Sequence, residues 1–182
     1  AVISKNEIFD NHFPNSEDKI FFAPAVGIRE KGRPIIDGNL CYQNGIGIGG
    51  INFDGHENPL IIKNNTIYNN SRAGIGLRGL GGVNNNINAV IENNTIHGNL
   101  AAGIRCTRVD NVSIIYNVVF NNRRTGISLW NTNETTIEDN EIYGNMTAGI
   151  RLLDVPSAVI RRNYIYQNVT SGIDFIGWAK DK

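Results

Sequence analysis

The sequence predicts an all-β solenoid, a parallel β-helix of about seven coils with three short strands in each coil. Three features of the 182-residue chain predict it: a recurring pair of asparagines, apolar residues that alternate with polar ones around each pair, and a glycine–isoleucine motif that follows it. A repeat of this kind cannot bury its apolar face alone, and stacking of successive repeats buries the faces together. We therefore expect a single domain over residues 1–182.

The asparagine pair defines the repeat and its length. The first members are Asn6, Asn39, Asn65, Asn94, Asn117, Asn140 and Asn163. The second members, five residues later each time, are Asn11, Asn44, Asn70, Asn99, Asn122, Asn145 and Asn168. Successive first members are 33, 26, 29, 23, 23 and 23 residues apart. The basic unit therefore has 23 residues, and coils begin near residues 1, 34, 60, 89, 112, 135 and 158.

Alternating apolar residues predict the three strands of each coil. An isoleucine stands three residues before every first asparagine, and an isoleucine, valine or cysteine stands two residues after it. The third strand is predicted by a Gly-Ile-x-apolar motif that begins at Gly50, Gly74, Gly103, Gly126, Gly149 and Gly172, with an imperfect copy at Gly27. A period of two places alternate side chains on opposite faces, so each stretch is a strand with one buried face.

Asparagine suits the turns between these strands for two reasons. It tolerates the left-handed backbone conformation of a tight bend, and its carboxamide can bond nearby main chain. Coils stacked at the ~4.8 Å strand spacing also let inward-facing asparagines bond one another, which predicts asparagine ladders at two turns. A leucine-rich repeat has a similar unit length but is disfavoured, because isoleucine replaces leucine, each unit has two asparagines and no helical period is present.

Composition excludes several classes of function. Lys+Arg and Asp+Glu both number 17, so the chain lacks the basic footprint on which nucleic-acid binding depends. No apolar run approaches the roughly 20 residues of a membrane-spanning helix, so we expect no membrane insertion. Cys41 and Cys106 replace apolar inward residues several coils apart. Both are predicted to be buried thiols, and neither a disulfide nor a metal site is expected.

Two insertions lengthen the early coils. About residues 12–26 precede the third strand of the first coil, and about residues 79–86 follow the third strand of the third coil. Both flank the same predicted sheet, and long loops on a rigid scaffold often carry function. Neither end of the chain resembles a polar cap, although solenoid ends need covering. We therefore expect part of a larger chain or assembly, with association through the uncapped ends.

Outward positions carry two further patterns. Opposite charges stand one unit apart, as at Glu138 and Arg161, which is what pairing across neighbouring strands requires. An aromatic column directly follows the second apolar residue: Phe9, Tyr42, Tyr68, His97, Phe120, Tyr143 and Tyr166. Ring-on-ring stabilisation, a protein contact and stacking of sugar rings all stay open as interpretations. If the column contacts a protein or stacks on sugar rings, the ligand-binding candidates are Tyr68, His97, Phe120, Tyr143 and Tyr166.

Arginines gather on the outward face of the third strand. Arg105 and Arg151 occupy equivalent positions two units apart, ~10 Å by strand spacing. Three more arginines are expected close by, namely Arg78, Arg123 and Arg124. Guanidinium groups bind carboxylates through two parallel hydrogen bonds, so this face suits an acidic polysaccharide. Arg78 therefore joins the ligand-binding candidates.

The repeat N-x-I-x-x-N followed by G-I-x-L resembles, over essentially the whole chain, the right-handed parallel β-helix repeats of the NosD-like and CASH (carbohydrate-binding and sugar-hydrolase) group, relatives of pectate lyases and alginate epimerases. The resemblance implies a right-handed, single-stranded β-helix, an extracytoplasmic location and a groove along one sheet. It carries no catalytic residues over, because the Trp-x-Asp-His, Arg-x-x-Pro-x-x-Arg, Gly-His-Gly and Asn-Thr-Asp motifs are absent from the sequence. NosD-like copper delivery lacks a convergent set of ligands.

Two functions follow as hypotheses. The favoured one is a non-catalytic extracytoplasmic module that binds a polysaccharide or a protein partner, or serves in assembly. The alternative is a polyuronate lyase or C5-epimerase that acts in a groove along the third strand, with Arg105 and Arg151 neutralising the uronate carboxylate. Asp174 is the third catalytic candidate. No cofactor is expected, apart from calcium in the case of a lyase.

Overall fold

The computed structural model describes residues 1–11, 23–29, 32–53, 58–79 and 86–177, and the regular elements within these ranges are all β-strands. They form three parallel sheets of seven strands. Each strand pairs with the strands three places before and after it in the chain, so every coil contributes one strand to every sheet. The predicted all-β solenoid, with seven coils and three strands per coil, is confirmed.

The strands are numbered in chain order. Sheet A contains β1 (Val2–Ser4), β4 (Ile35–Asp37), β7 (Leu60–Lys63), β10 (Asn86–Glu92), β13 (Asp110–Ile115), β16 (Thr135–Glu138) and β19 (Ala158–Arg161). Sheet B contains β2 (Glu7–Phe9), β5 (Leu40–Tyr42), β8 (Thr66–Tyr68), β11 (Thr95–His97), β14 (Val118–Phe120), β17 (Glu141–Tyr143) and β20 (Tyr164–Tyr166). Sheet C contains β3 (Pro24–Arg29), β6 (Ile46–Phe53), β9 (Ile75–Gly79), β12 (Ile104–Thr107), β15 (Ile127–Trp130), β18 (Ile150–Leu153) and β21 (Ile173–Ile176).

Equivalent residues of successive coils lie above one another, as the repeat predicts. Ile142 pairs with Ile165 in sheet B, and Asn140 is only 2% exposed. The predicted alternation of charge is also present, because Glu138 pairs with Arg161 and their side chains lie 2.7 Å apart. Stacking in this register places both the apolar and the charged columns of the sequence.

The core is one continuous column of aliphatic side chains enclosed by the three sheets. Its inward residues are almost fully buried in coils two to six, whereas Ile173 and Phe175 of the last coil are 48% and 64% exposed. Cys41 and Cys106 are free, buried thiols of this core, as predicted. Burial raises the pKa of Cys41 to about 11 and that of Cys106 to about 12, so both are held protonated.

Two asparagine ladders run along the turns on either side of sheet B. At each rung the carboxamide oxygen accepts hydrogen bonds from the backbone N–H and the Nδ2 of the asparagine one coil earlier; Asn117 accepts both from Asn94, at 3.0 Å. Its own Nδ2 donates to Oδ1 of Asn140. The ladder asparagines of coils two to six are at most 2% exposed. The ladders therefore satisfy polar groups that burial would otherwise leave unpaired.

The left-handed residue of each of these turns stands one position before the ladder asparagine. The φ angles at these positions lie between 51° and 66°, as at Asn64, Gly98 and Asn121. The expectation that the ladder asparagine itself adopts this conformation was wrong. Its backbone N–H must point along the solenoid to reach the next Oδ1, so the preceding residue makes the bend, and asparagine, aspartate and glycine suit that position best.

A column of glycines fixes the register of sheet C. A Cβ at any of them would lie 2.3–2.7 Å from an atom of the next coil: Gly47, Gly74, Gly103, Gly126 and Gly149. The prediction for coil two, with Gly50 and Ile51 in these places, was therefore wrong, because Gly47 fills the tight position and Ile48 points into the core. Ile51 pairs with Arg78 and is 38% exposed. The repeat pattern alone could not decide, since this stretch contains three Gly-Ile pairs, which begin at Gly45, Gly47 and Gly50.

Candidate functional site

The outer face of sheet C carries an open groove of about 580 Å³ that crosses coils two to five. Three strand-to-strand steps of ~4.8 Å give it a length of about 14 Å along the solenoid. Six of its larger lining side chains are Arg72, Arg78, Arg105, Arg108, Arg124 and Trp130. Five of these six side chains are arginines, so the described lining of the groove is rich in positive charge.

The floor of the groove is the central outward column of sheet C. In coils one to three this column is Gly27, Gly49 and Gly76, and it continues with Arg105 in coil four. The side chains of Pro24 and Ile46 lie over these glycines, because a Cβ at Gly49 would be 3.1 Å from Pro24 and one at Gly76 would be 3.7 Å from Ile46. Of the three glycines only Gly76 lines the groove. Arg29 was predicted in this column but lies in the next one, opposite Ile51, because coil one follows the shifted register of coil two.

Two walls rise on either side of this floor. One is the turn after the second ladder asparagine, where Arg72 and Arg124 lie two coils apart with Ala101 between them. The other is the column at the ends of the sheet C strands, where Arg78, Thr107 and Trp130 lie in register on three neighbouring strands. The repeat therefore places arginines on both walls and on the floor within coils three to five.

The charged residues in the described lining of the groove are all arginines. Burial lowers the pKa of Arg105 from its ordinary value, and repulsion from Arg72, Arg124 and Arg78 lowers it further. Among the residues that the structure describes, neither an aspartate nor a glutamate lines the groove. A site with like charges so close favours an anionic ligand, since a carboxylate or phosphate would relieve the repulsion.

The predicted catalytic residues are only partly brought together. Arg105 lines the groove, and Arg151 lies two strands away with Ser128 between them, as the spacing predicts. Arg151 is paired with Asp174, with Nε and Oδ2 at 2.9 Å, so each neutralises the other beyond the end of the groove. Arg124 also lines the groove. A catalytic role for Arg105, Arg151 or Asp174 stays a prediction.

The aromatic column forms a continuous stack on sheet B. Neighbouring ring centroids are 4.7–5.2 Å apart and neighbouring planes differ by 4–15°. Each interior ring is covered on both faces by its neighbours, so the edges rather than the faces point to solvent. This geometry supports ring-on-ring stabilisation. Ligand binding by Tyr68, His97, Phe120, Tyr143 and Tyr166 stays a prediction, and it would have to use those edges.

Sequence reasoning missed three residues of the groove, namely Arg72, Arg108 and Trp130. A signal for the first was present, because Arg72 and Arg124 each stand two residues after a second ladder asparagine and so belong to one column. Trp130 directly follows its Gly-Ile-x-apolar motif, a position that was not aligned as a column. Arg108 lies in the adjoining turn with a φ of 54°, and the strand period does not predict where such a side chain points.

The groove offers groups that bind rather than groups that transfer protons. Its described lining contains no histidine, tyrosine, aspartate or glutamate. Tyr166 lies on sheet B, and desolvation together with its hydrogen bond to Glu141 raises its pKa to about 12, which keeps the phenol protonated.

Within the described ranges no three His, Cys, Asp or Glu side chains gather where they could hold a metal ion. The same ranges include no helix long and apolar enough to cross a membrane.

The two predicted insertions meet the described structure at sheet C. Residues 12–22 lead into β3 and residues 80–85 leave β9. Both segments lie outside the described residues, as does the Asp54 carboxylate that follows β6. The prediction that the insertions flank the sheet that carries the groove is consistent with these end points.

Comparisons with known proteins identify the fold. The family model described as "right handed beta helix region" matches residues 49–180. A double mutant of the periplasmic alginate epimerase AlgG superposes with a TM-score of 0.74 at 22% identity, over 86% of this chain and 36% of that one. The A-module of the mannuronan C-5 epimerase AlgE4 of Azotobacter vinelandii gives 0.64 at 20% identity, over 80% of this chain and 42% of that one. This chain thus spans less than half the length of either structure, and a search of curated proteins gives no significant match.

Proposed function

Because the chain belongs to the family of right-handed β-helix regions, we propose that it is an extracytoplasmic module that binds an acidic polysaccharide in the groove along sheet C without changing it chemically. The observation that carries the proposal is the convergence of Arg72, Arg78, Arg105 and Arg124 on one groove. A guanidinium group presents a planar fork of donors that matches a carboxylate, and it keeps its charge at all physiological pH values.

The shape of the groove supports a polymer rather than a small ligand. It is open, and it runs across strands that repeat at ~4.8 Å, so successive units of an extended chain can meet successive rungs. The epimerases that share the fold are named for alginate and mannuronan, and AlgG is named as periplasmic. These names support an acidic polysaccharide ligand and a place outside the cytoplasm.

Binding without turnover is favoured over a polyuronate lyase or C5-epimerase. Both reactions require a group that removes the C5 proton, held within hydrogen-bond reach of it. The described groove supplies arginines, threonine and serine but no histidine, phenol or carboxylate. The arginines would neutralise the uronate carboxylate in either case, so their presence does not distinguish the two functions.

The test measures the affinity of the chain for alginate and polygalacturonate oligomers by isothermal titration calorimetry at low salt, with neutral dextran as the control ligand. Arg105→Ala and Arg124→Ala should each weaken binding by about ten- to a hundredfold, the cost of losing one charge-assisted hydrogen-bonded contact. Arg123→Ala is the matched control, because it removes the same charge one residue from Arg124 but outside the groove lining. Affinity should fall steeply as salt is added.

Three results would overturn the proposal. The first is an absence of binding to any acidic polysaccharide, and the second is an equal effect of Arg123→Ala and Arg124→Ala. The third is turnover, seen as absorbance of an unsaturated product or as a change of uronate stereochemistry by NMR, with or without calcium. Turnover would establish the lyase or epimerase in place of the binding module.

A further inference from the structure

We propose that Trp130 determines the specificity of the groove, as a platform on which a saturated sugar ring stacks while its carboxylate reaches the arginines. The inference rests on the proposed function and names the ligand class more closely, as a polymer of uronic acid rings. A flexible polyanion of the same charge would gain only the electrostatic part of the interaction.

Trp130 is the only aromatic side chain among the described residues that line the groove. It ends β15, it is 37% exposed, and it pairs with Thr107 of the neighbouring strand. Thr107 is only 8% exposed, so neighbouring side chains cover it almost completely. On the far side of Thr107 the next residue in the column is Arg78, ~10 Å from Trp130 by two strand spacings. Trp130 and Arg78 thus lie on the same wall of the groove, on either side of the buried Thr107.

The indole differs from the rings of the sheet B column in that none of the described rings stacks on it. Every interior ring of the sheet B column is sandwiched between two neighbours, whereas none of the described rings stacks on Trp130. An aromatic face of this kind packs against the C–H face of a pyranose ring and buries it from water. The interior rings of the column cannot offer that contact, because both of their faces are covered.

The nearest arginines lie at a distance that fits a ring with a carboxylate substituent. Arg105 is one strand away and two residues along from Trp130, about 8 Å between backbone positions by strand geometry. Arg108 and Arg124 line the same part of the groove. A long guanidinium side chain spans this distance, so one uronate residue could contact the indole with its ring and an arginine with its carboxylate.

The test compares ligands of equal charge that differ in their rings. The affinity of the wild type and Trp130→Ala is measured for oligogalacturonate, polyglutamate and inorganic polyphosphate of matched charge. Trp130→Ala should weaken oligogalacturonate binding about tenfold, the factor expected for one lost stacking contact. Polyglutamate and polyphosphate binding should change less than about twofold. Trp130→Phe, which keeps an aromatic face, should restore most of the affinity.

Controls separate specificity from folding and from other ligands. Tyr116→Asn removes an exposed aromatic ring away from sheet C, and asparagine tolerates the φ of 55° at that position, so its affinities should match the wild type. Far-UV circular dichroism and the thermal midpoint should be the same for Trp130→Ala and the wild type. An oligo-dT strand serves as a further ligand, because aromatic platforms among arginines also bind single-stranded nucleic acid.

The outcomes distinguish failure of this inference from failure of the proposed function. If all polyanions bind and Trp130→Ala weakens them equally or not at all, the platform is refuted while the arginine groove stands. If oligo-dT binds more tightly than oligogalacturonate and loses affinity in Trp130→Ala, the ligand class is wrong. If none of the polyanions binds, both the proposed function and this inference fail.

Discussion

Replacement of Asn117 by alanine removes one rung from the middle of the first asparagine ladder. Its Oδ1 accepts from the backbone N–H and the Nδ2 of Asn94, both at 3.0 Å. Its Nδ2 donates to Oδ1 of Asn140 at 3.0 Å and to the carbonyl oxygens of Ile91 and Ile115 at 2.9 and 3.0 Å. The residue is fully buried, so water cannot take over these hydrogen bonds.

The magnitude follows from what alanine leaves behind. The backbone N–H of Asn94 loses its acceptor inside the solenoid, at a cost of about 1–3 kcal/mol, and the remaining lost hydrogen bonds add about 1 kcal/mol each. We therefore expect Asn117→Ala to lower the free energy of unfolding by roughly 5–7 kcal/mol, a large part of the 5–15 kcal/mol that is usual for a folded domain.

Urea-induced unfolding followed by far-UV circular dichroism measures this difference, with Asn163→Ala as the matched control. Asn163 accepts the same two hydrogen bonds from Asn140, at 3.0 and 2.9 Å, but it is only partly buried in the last coil. Water can take the place of the Asn163 side chain as hydrogen-bond acceptor, so Asn163→Ala should lower the free energy of unfolding by only about 1 kcal/mol. Equal losses for the two variants would show that burial of the ladder is not what makes it stabilising.

Three further predictions concern other columns. Gly126→Ala should lower the free energy of unfolding in urea by about 1–3 kcal/mol, because the new Cβ would lie 2.7 Å from the carbonyl oxygen of Gly149 in the next coil. Gly172→Ala is the control and should change the free energy of unfolding little, because its nearest contact would be 3.7 Å away. Burial in the ring stack lowers the pKa of His97 below its ordinary 6.5, so the unfolded chain binds the proton more readily than the folded chain does. Stability should therefore fall as the pH drops below 6.5, and His97→Phe should remove that pH dependence from the thermal midpoint. Asp174→Asn frees Arg151 from its partner, so the affinity for oligogalacturonate should rise; an unchanged titration would place Arg151 outside the binding surface.

The fold could be predicted because the repeat states it many times. Two asparagines, two inward apolar residues and a glycine recur in every 23-residue unit, and one register satisfies all of them. The exception is coil two, where three Gly-Ile pairs, which begin at Gly45, Gly47 and Gly50, compete for one place in the pattern. Only the packing of Gly47 against the next coil decides between them, since its Cβ would lie 2.3 Å from Ile67. Such a contact joins residues of different coils and leaves no trace in one unit.

The groove could be predicted only in part. Arg105 and Arg78 follow from the alternation of sheet C, because a strand period states which side chains point outward. Arg72 and Arg108 lie in turns, where no such period applies, and Trp130 lies at the last residue of its strand. The ion pair between Arg151 and Asp174 could have been predicted, because the register places these opposite charges on adjacent strands. Each of them was instead named as a separate catalytic candidate.

The five-residue interval within each asparagine pair never changes along the chain, whereas the interval from one pair to the next varies from 18 to 28 residues. All of this variation falls around sheet C, outside the two ladders and the strand that they bracket. The molecule therefore combines a spine, made of the two ladders and sheet B, whose length per coil is constant with a margin, made of the segments around sheet C, whose length varies from coil to coil. New loops grafted at that margin could give the groove a different ligand while the spine stays intact, and whole 23-residue units could be duplicated to lengthen it.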